Sequence, residues 1–334
     1  MIGPTLRDGR ASLAIAIDGA EAAAFEAVRR AAEAALAAAP GVRAAAVALT
    51  ADRAARSEPS PSGQSALRLP DGVARVIAVG SGKGGVGKST TAANLALALR
   101  ADGWRVGLLD ADVQGPSAPR IFGLRGVPRT LPDRRLAPLD GWGVKVMSIG
   151  SLVDPEEAMV WRGPMVLAAV TQMLFEVAWG PLDALVVDLP PGTGDAALAV
   201  AQATPLTGAV VVSTPQDLSL IDARRGVAMF AKLGVPVLGL VENMSVFVCP
   251  TCGTSHALFG AGGARAEAAR LGLPLLAEVP LTLDLRLSAD AGRPPTAVDP
   301  EGAIASVYRM MAREVRMALE GTGGPLAQAG AAVV

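Results

Sequence analysis

The feature that most constrains this chain of 334 residues is a glycine-rich segment between an apolar stretch and a helical pattern. Residues 80–91 read GSGKGGVGKSTT; they follow the strand-like residues 76–79 and precede the alanine- and leucine-rich residues 92–99. They match Gly-x4-Gly-Lys-[Ser/Thr] in the strand–loop–helix setting of a phosphate-binding loop. Glycines let backbone N–H groups converge on a phosphate, and the start of the helix adds partial positive charge. We therefore predict nucleotide contacts at Gly82, Gly84, Gly85, Val86, Gly87, Lys88, Ser89 and Thr90.

The two lysines of this segment indicate that the site requires lysine rather than arginine. Only four of the 30 basic residues are lysines, and Lys83 and Lys88 are two of them. Lysine is a compact point charge, whereas arginine is a planar fork. We expect Lys88 to neutralise the β- and γ-phosphates of ATP and Ser89 to ligate Mg²⁺. Lys83 begins the loop and points away from its own nucleotide, so a catalytic Lys83 has to reach the nucleotide of a second subunit, which predicts a homodimer. The alternative is a solvated loop lysine.

Acidic residues end two further strand patterns. Asp110 and Asp112 follow the apolar residues 106–109, and Asp188 ends a second apolar run. Carboxylates at these positions can face bound Mg²⁺ and the attacking water. We predict that Asp188 is the Walker B acid, that Asp112 is a catalytic residue positioning the water, and that Asp110 supports the metal through bound water. The alternative for each is helix capping. Residues 190–192 (PPG) predict a switch loop that senses the γ-phosphate.

Short apolar runs alternate with helical segments from residue 73 onward. Near-continuous apolar strands separated by helices are typical of a parallel sheet that is covered on both faces. We therefore predict an α/β fold, a mostly parallel P-loop NTPase sheet covered by helices on both faces, with a small N-terminal α+β appendage. The expected strands are residues 76–79, 106–110, 144–147, 185–188, 209–212 and 237–241.

Composition shifts predict how the chain is divided into domains. Alternation over residues 11–18, helical spacing over residues 21–38 and a second extended stretch over residues 42–50 indicate a small αβ unit at the N-terminus. The stretch that follows is rich in serine, proline and glycine, which predicts a linker. The predicted parts are an αβ unit over 1–51, a linker over 52–72, an ATPase domain with Cys-x-x-Cys over 73–298, a C-terminal helix over 299–320, and a disordered tail over 321–334.

The two cysteines of the sequence, Cys249 and Cys252, lie three positions apart. This spacing supplies two thiolates to one metal atom or one cluster edge, whereas a closed site needs four ligands. Two subunits would supply four cysteines on a twofold axis, a set that suits [4Fe–4S] or Zn²⁺. The alternatives are a redox dithiol and a pair of small buried apolar residues. The single histidine, His256, is more typical of a structural or surface residue than of a ligand.

Charge and hydropathy argue against several other classes. With 30 basic and 31 acidic side chains the net charge is −1, which offers no polyelectrolyte surface for nucleic acid or anionic lipid. Apolar runs stop short of the roughly 18 residues that a membrane span needs. Asp8 lies where a secretion signal would be basic, and no cleavable apolar segment follows it. We predict a cytoplasmic protein without nucleic-acid or membrane partners.

Taken together, the motifs resemble a known family. Residues 83–90 (KGGVGKST) resemble the deviant Walker A motif of the class that contains ParA, MinD and the nitrogenase iron protein. Further segments over about residues 73–295 are similar to the Mrp/ApbC iron–sulfur cluster carrier ATPases: residues 110–117 (DADVQGPS), 161–165 (WRGPM), 187–195 (VDLPPGTGD), 242–245 (ENMS) and 249–253 (CPTCG).

This resemblance implies an activity and partners. It implies that Asn243 reads the adenine edge and that Cys249 and Cys252 hold a transferable [4Fe–4S] cluster across a homodimer. It also implies that ATP binding and slow hydrolysis gate the loading or release of the cluster, with apo iron–sulfur client proteins and scaffold donors as partners. Residues 11–50 are similar only to the later half, a helix and a strand, of the MIP18-like (DUF59) domain that such proteins often carry.

Three other functions fit parts of the pattern. A zinc-bridged ATPase that delivers tail-anchored membrane proteins shares the dimeric cysteine site, but it needs a long methionine-rich helical insertion that is not evident here. A ParA- or MinD-like positioning switch needs a basic DNA-binding face or a basic C-terminal helix, and residues 325–334 carry no basic side chain. An electron-donating reductase like the nitrogenase iron protein takes its cluster cysteines from separate segments.

Overall fold

The computed structural model describes residues 2–7, 10–18, 22–40, 42, 44–52, 67–113, 115–152 and 163–321. Close contacts divide the chain into two units, Met1–Ala66 and Leu67–Val334. The predicted tail beyond Gly321, most of the predicted linker and the motif residues Gln114, Trp161 and Arg162 lie outside the described residues.

The first unit is a three-stranded sheet with one helix. Strand β1 (Ile2–Arg7) pairs antiparallel with β2 (Arg10–Asp18), and β2 pairs in parallel with β3 (Ala44–Asp52). Parallel neighbours need a crossover, and helix α1 (Ala22–Ala37) provides it. The sequence patterns predict these three elements: alternation predicts β2, helical spacing predicts α1, and the second extended stretch predicts β3. They miss β1, where the pairing register shifts between Ile2 and Thr5, around a proline that has no N–H to donate.

The second unit is built on one large sheet. Its described strands are β4 (Val76–Ser81), β5 (Val106–Asp110), β6 (Leu139–Gly141), β7 (Val144–Ser148), β8 (Ala184–Asp188), β9 (Gly208–Ser213), β10 (Val237–Val248), β11 (Ser255–His256) and β12 (Leu275–Leu281). The order is β11-β10-β9-β4-β8-β5-β7-β6, with β12 paired to β10. The pairs that involve β6 and β11 are antiparallel and all other pairs in this sheet are parallel, so the predicted parallel sheet is confirmed.

Helices cover both faces of this sheet. They are α2 (Lys88–Ala101), α3 (Ala118–Ile121), α4 (Gly163–Phe175), α5 (Asp195–Ala203), α6 (Asp217–Lys232), α7 (Gly263–Leu271), α8 (Leu283–Asp290), α9 (Pro295–Val298) and α10 (Ala303–Gly321). Alternate residues of the sheet enter two separate cores, because successive strand side chains point to opposite faces. Ile77 of β4 packs in a core with α2 and α10, whereas its neighbour Ala78 packs in a core with α4, α5 and α6.

Helix α10 (Ala303–Gly321) begins four residues after the start of the predicted C-terminal helix over 299–320 and ends one residue beyond it, because Pro295–Val298 form the separate helix α9 and Asp299 ends that helix. Its buried side chains recur at helical spacing, with Tyr308, Met311, Val315 and Leu319 on the face that enters the core. Among the described helices, none has the combination of length and apolar composition that would let it traverse a bilayer.

Candidate nucleotide site and cysteine hairpin

The glycine-rich loop joins the carboxyl end of β4 to the first residue of α2. Gly87, the residue before α2, has a φ of 79°, in the left-handed region that glycine adopts without strain. A Cβ at Gly87 would lie 2.1 Å from the Asn243 side-chain nitrogen, and a Cβ at Gly82 would lie 2.1 Å from the backbone of Asp222. The glycines therefore let this loop approach both β10 and α6 more closely than side chains would permit.

We expect Gly87→Ala to destabilise the protein more than Gly85→Ala. Both positions have a φ near +78°, so each alanine costs about 1–2 kcal/mol of backbone strain. At Gly85 no atom lies within 4 Å of the added Cβ, whereas at Gly87 the amide of Asn243 must move and lose its hydrogen bond, which costs about 1 kcal/mol more. Urea unfolding of the two variants measures the difference. Equal losses of unfolding free energy would show that the Asn243 contact does not hold the loop.

Lys88 and Asp188 form a buried ion pair at the base of the loop. Lys88 Nζ lies 2.6 Å from Asp188 Oδ1, and the two side chains are 6% and 1% exposed. Burial raises the pKa of Asp188, and the charge of Lys88 opposes this increase. Strand β8 is the direct neighbour of β4, with Val79 opposite Asp188, and this pairing places the carboxylate beside the loop.

Asp110 is buried at the end of β5 and ties three segments together. Its Oδ2 accepts hydrogen bonds from the backbone N–H groups of Ser117 (2.9 Å) and Ala118 (3.0 Å) and from the Ser148 hydroxyl (3.0 Å). Its Oδ1 accepts a fourth from the N–H of Asp112 (3.2 Å). Burial and the nearby charge of Asp188 raise the pKa of Asp110 to about 7. Its predicted role beside a metal stays a prediction.

Asp112 lies in the wall of a cleft above the loop, and its Oδ1 accepts a hydrogen bond from the N–H of Gly115 (3.2 Å). The cleft has a volume of about 330 Å³, and the predicted residues Lys83, Lys88 and Ser89 also line it. The structure thus brings the loop, Asp112 after β5 and Pro191 of the predicted switch loop to one opening. The remaining lining residues are Ser81, Gly84, Gly85, Gly87, Thr90, Ser117, Arg120, Ile121, Pro191, Ala289 and Asp290.

The donor set beside this cleft fits a Mg²⁺ ion. Oxygen atoms of carboxylates and hydroxyls are the ligands that Mg²⁺ prefers, usually with one or two carboxylates and several waters. Asp188 Oδ2 is buried and has no hydrogen-bond partner among the described residues, although Oδ1 is paired with Lys88. An unpartnered buried carboxylate oxygen is costly unless a ligand completes it. With the Ser89 hydroxyl nearby, the residues present can hold the metal of a bound nucleotide.

Asn243 lies under the loop on β10. Its side-chain nitrogen donates a hydrogen bond to the Val86 carbonyl oxygen (2.8 Å), and the residue is 6% exposed. Residue 244 follows with a φ of 57°, which is unusual for a methionine. The predicted contact of Asn243 with adenine stays a prediction, and the loop contact is one that the sequence did not indicate.

The cysteines lie in a hairpin beyond the end of β10. The Cys249 N–H donates to the Thr254 carbonyl oxygen (3.0 Å), and the Gly253 N–H donates to the Cys249 carbonyl oxygen (2.8 Å), after which β11 returns along β10. Both cysteines are free, and Cys252 is exposed. Hydrogen bonds with Thr254 and with Cys249 lower the pKa of the Cys252 thiol, which favours the thiolate that binds metals.

The cysteine hairpin offers two free thiols as possible metal ligands. Within the part of the chain that the structure describes, no group of three or more histidine, cysteine or acidic side chains could hold a metal ion. His256 is exposed on β11, and its ring lies 6.5 Å from that of Phe247, centre to centre. The two thiols therefore provide half of the four-ligand set that zinc and iron–sulfur sites use.

The outer wall of the cleft contains residues that no sequence motif indicates. Arg120 of α3 and Asp290 of α8 meet there, with 3.3 Å between Arg120 Nη2 and Asp290 Oδ1. Their helices approach where Gly123 and Gly292 touch, since a Cβ at Gly292 would lie 2.4 Å from the Gly123 Cα. The two glycines are the only local signal of this approach, and neither has a motif around it.

The sheet order, the glycine loop before α2 and the acidic ends of β5 and β8 define a P-loop NTPase of the ParA/MinD-like class. A sequence model described as ParA, NUBPL iron-transfer P-loop NTPase, matches residues 72–316. The chain therefore belongs to the NUBPL iron-transfer family of P-loop NTPases. This finding confirms the resemblance that the motifs indicate.

Curated relatives from bacteria and animals are about half identical to this chain. The iron-sulfur cluster carrier protein of Pseudomonas fragi is 51% identical over 242 residues, which is 72% of this chain and 84% of the relative. The Escherichia coli K12 iron-sulfur cluster carrier protein is 52% identical over 73% of this chain and 67% of its own length. The mouse iron-sulfur cluster transfer protein NUBPL is 53% identical, with coverages of 73% and 77%.

Solved structures agree on the fold. A nucleotide-binding protein from Archaeoglobus fulgidus in complex with ADP is 40% identical, with a TM-score of 0.62 over 71% of this chain and 93% of that one. The Pyrococcus furiosus cell division ATPase MinD has a TM-score of 0.54 at 23% identity, over 72% of this chain and 98% of its own. The second match supports the fold alone.

Proposed function

We propose that this protein is an ATP-dependent carrier that holds a [4Fe–4S] cluster between two copies of the chain and transfers it to apo-proteins. The observation that carries the proposal is the incomplete hairpin site, with two free thiols and no further ligand group among the described residues. A symmetric pair of chains would supply four thiolates from two identical hairpins. The family's iron-transfer description and the names of the relatives agree with this cargo.

Anaerobic reconstitution with iron and sulfide tests the proposal. We expect about four irons and four sulfides per two chains, broad visible absorbance, and a dimer in solution. Transfer to an apo iron–sulfur protein should then restore the activity of that client. Tight zinc with no iron uptake would favour the zinc-bridged alternative, and a monomeric protein that retains its cluster would overturn the proposed site.

In the proposed reaction, the residues of the cleft hydrolyse ATP. Water attacks the γ-phosphorus, the bond from phosphorus to the bridging oxygen breaks, and ADP and inorganic phosphate leave. Lys88 would neutralise the phosphates, Asp112 would orient the water, and Asp110 would support the metal through bound water. Mg²⁺, held by Ser89 and by Asp188 Oδ2, would supply positive charge to the phosphate oxygens.

We propose that Lys83 completes the site of the partner copy. Lys83 is partly exposed at the start of the loop and lines the cleft of its own chain, so its position does not by itself assign it to the partner's nucleotide. The proposal follows from Lys88, which is expected to neutralise the phosphates of its own nucleotide. Lys83→Ala is expected to lower kcat about a hundredfold, because the charge it brings acts mainly on the transition state. Lys232→Ala, at an exposed position at the end of α6, is the matched control and should retain full turnover.

Mixing two inactive variants tests whether Lys83 acts between subunits. In a mixed dimer of Lys83→Ala and Asp112→Asn, one of the two sites would have an intact Asp112 and the partner's intact Lys83. Random mixing should therefore restore about a quarter of the wild-type turnover. No recovery in dimers shown to be mixed would mean that Lys83 serves its own nucleotide.

The partners and the compartment complete the proposal. Scaffold donors and apo iron–sulfur clients are the proposed partners, and the cytoplasm is the proposed location because thiols stay reduced there. A ParA- or MinD-like switch is the remaining alternative, since the fold is shared. Iron uptake separates the two, because a positioning switch has no need for a cluster.

A further inference from the structure

A second cavity lies at the opposite end of the large sheet from the glycine-rich loop. It has a volume of about 510 Å³, and Arg105, Val106 and Lys145 in its lining place it at the amino ends of β5 and β7. The glycine-rich loop and the cysteine hairpin follow the carboxyl ends of β4 and β10, and the pairing of the intervening strands is parallel throughout. A molecule bound in the second cavity would therefore leave the nucleotide cleft and the thiols uncovered.

Among the described residues, three cationic side chains line this cavity. They are Arg100 in the last turn of α2, Arg105 before β5, and Lys145 of β7. Within the described part of the chain, neither Arg100 nor Lys145 forms an ion pair. Lys145 Nζ donates instead to the carbonyl oxygen of Trp179, which is a neutral partner. Two positive charges of the described cavity wall therefore lack a counter-charge.

The carboxylates beside the cavity are already engaged. Arg105 donates to both oxygens of Asp183, from Nη2 to Oδ1 (2.7 Å) and from Nε to Oδ2 (3.0 Å). Asp140 of the cavity lining is opposite Lys145 in the strand pairing, but its Oδ1 accepts the N–H of Gly143 (3.1 Å). The described lining thus carries three cations and one carboxylate, a local excess of positive charge in a chain whose net charge is −1.

Two glycines make room for the cations. A Cβ at Gly143 would lie 2.2 Å from Arg100 Nε, and a Cβ at Gly180 would lie 3.0 Å from Lys145 Nζ. Both glycines have a positive φ, of 77° and 64°, which glycine adopts without strain. Larger residues at these positions would displace Arg100 and Lys145, so the backbone here is shaped around these side chains.

An exposed tryptophan lies on the turn that supplies Asp140 and Gly143 to the cavity. Trp142 is 42% exposed, and its φ of 55° is a conformation that a bulky residue rarely adopts. Its indole N–H donates to the Phe122 carbonyl oxygen (3.2 Å), which fixes the ring at the surface. Exposed tryptophan together with arginine is typical of the central contacts in protein interfaces.

We propose that a basic patch, formed by Arg100, Arg105, Lys145 and Trp142, binds an acidic segment of a partner protein. A single exposed ion pair changes a Kd by about fivefold at most, so useful affinity requires several successive carboxylates, with an apolar side chain packed on Trp142. Nucleic acid fits less well, because its affinity comes from many phosphate contacts and the described lining offers three cations and a carboxylate. The inference goes beyond the proposed function and holds whether or not the protein carries a cluster.

Fluorescence anisotropy tests the proposal, with the full chain and a short labelled peptide that is rich in glutamate around a central leucine, at low ionic strength. Arg100→Glu should raise the Kd of the peptide about tenfold, because one attraction is lost and one repulsion is gained. Arg100→Lys keeps the charge and should restore binding. Lys232→Glu, the matched control, makes the same change of charge at an exposed position outside the cavity and should leave the Kd unchanged. Urea unfolding should show that each variant is folded, since both side chains are exposed.

The leucine of the peptide provides a second measurement, through Trp142. Replacing this leucine with serine should weaken binding to the wild type and have no effect on binding to Trp142→Ala. Absence of saturable peptide binding, equal weakening by Arg100→Glu and Lys232→Glu, or displacement of the peptide by ADP with Mg²⁺ would overturn the proposal. Tighter binding of a single-stranded oligonucleotide of equal charge would also overturn it and make the basic patch a nucleic-acid site.

Discussion

Replacing both Cys249 and Cys252 with serine is expected to abolish iron binding while the protein stays folded and still binds ATP. Serine removes the sulfur ligands with little change in volume, and the hairpin is closed by backbone hydrogen bonds that do not involve the thiols. Iron should fall from about four per two chains to none, as measured after anaerobic reconstitution. Each single variant should also fail to retain a cluster, because symmetry removes two ligands from the shared site.

The matched control for this experiment is His256→Ala. This histidine is exposed on the strand that follows the cysteines, so its loss perturbs the same hairpin without touching a thiol. Iron content should remain at the wild-type level. A cluster that persists in the double cysteine variant would place the iron elsewhere and refute the proposed site.

The second large effect is expected from Lys88→Ala, which should lower ATP turnover at least about a thousandfold. The variant removes the positive charge that is expected beneath the phosphates of ATP. A preorganised site supplies such a charge without having to rearrange during the reaction. It also leaves Asp188 buried without its ion-pair partner, and breaking a buried pair costs about 3–5 kcal/mol of stability. Phosphate release in a single turnover measures the first effect, and urea unfolding measures the second.

Lys88→Arg distinguishes lost catalysis from lost stability. Arginine keeps a positive charge for Asp188, so the fold should be largely retained. A planar guanidinium is not equivalent to a point charge in a glycine cradle, so turnover should still fall at least about a hundredfold. Wild-type turnover in either Lys88 variant would show that the nucleotide lies somewhere other than this loop.

Much of the fold could be predicted because its signals are local. The six predicted inner strands are near-continuous apolar runs, and the glycine loop places β4 and α2 in order along the chain. The short strands β6 and β11 are too brief to show a period, and β12 is recognisable only through its pairing with β10. Strand β1 has a different reason, because a glycine and a proline follow its first residue and interrupt the alternation.

The site could be predicted only in part, because its residue types follow from motifs and its contacts do not. The loop lysines and the acids that follow the strands are visible as sequence patterns. The structure places Lys83, Lys88 and Asp112 around one cleft and pairs Asp188 with Lys88. The hydrogen bond from Asn243 to Val86 joins residues 157 positions apart, and the meeting of Arg120 with Asp290 depends on how α3 packs on α8. Such contacts arise from tertiary packing, which leaves no local pattern.

One strained residue of β10, Met244, lies between the loop contact of Asn243 and the cysteine hairpin. Asn243 is tied to the loop, Cys249 lies just beyond the end of the same strand, and Met244 lies between them with a φ of 57°. Holding a side-chain-bearing residue in that region costs roughly 1–2 kcal/mol, which the surrounding packing has to offset. A change in the backbone torsion angles at Met244 would therefore change how the cysteine hairpin is oriented relative to the glycine-rich loop.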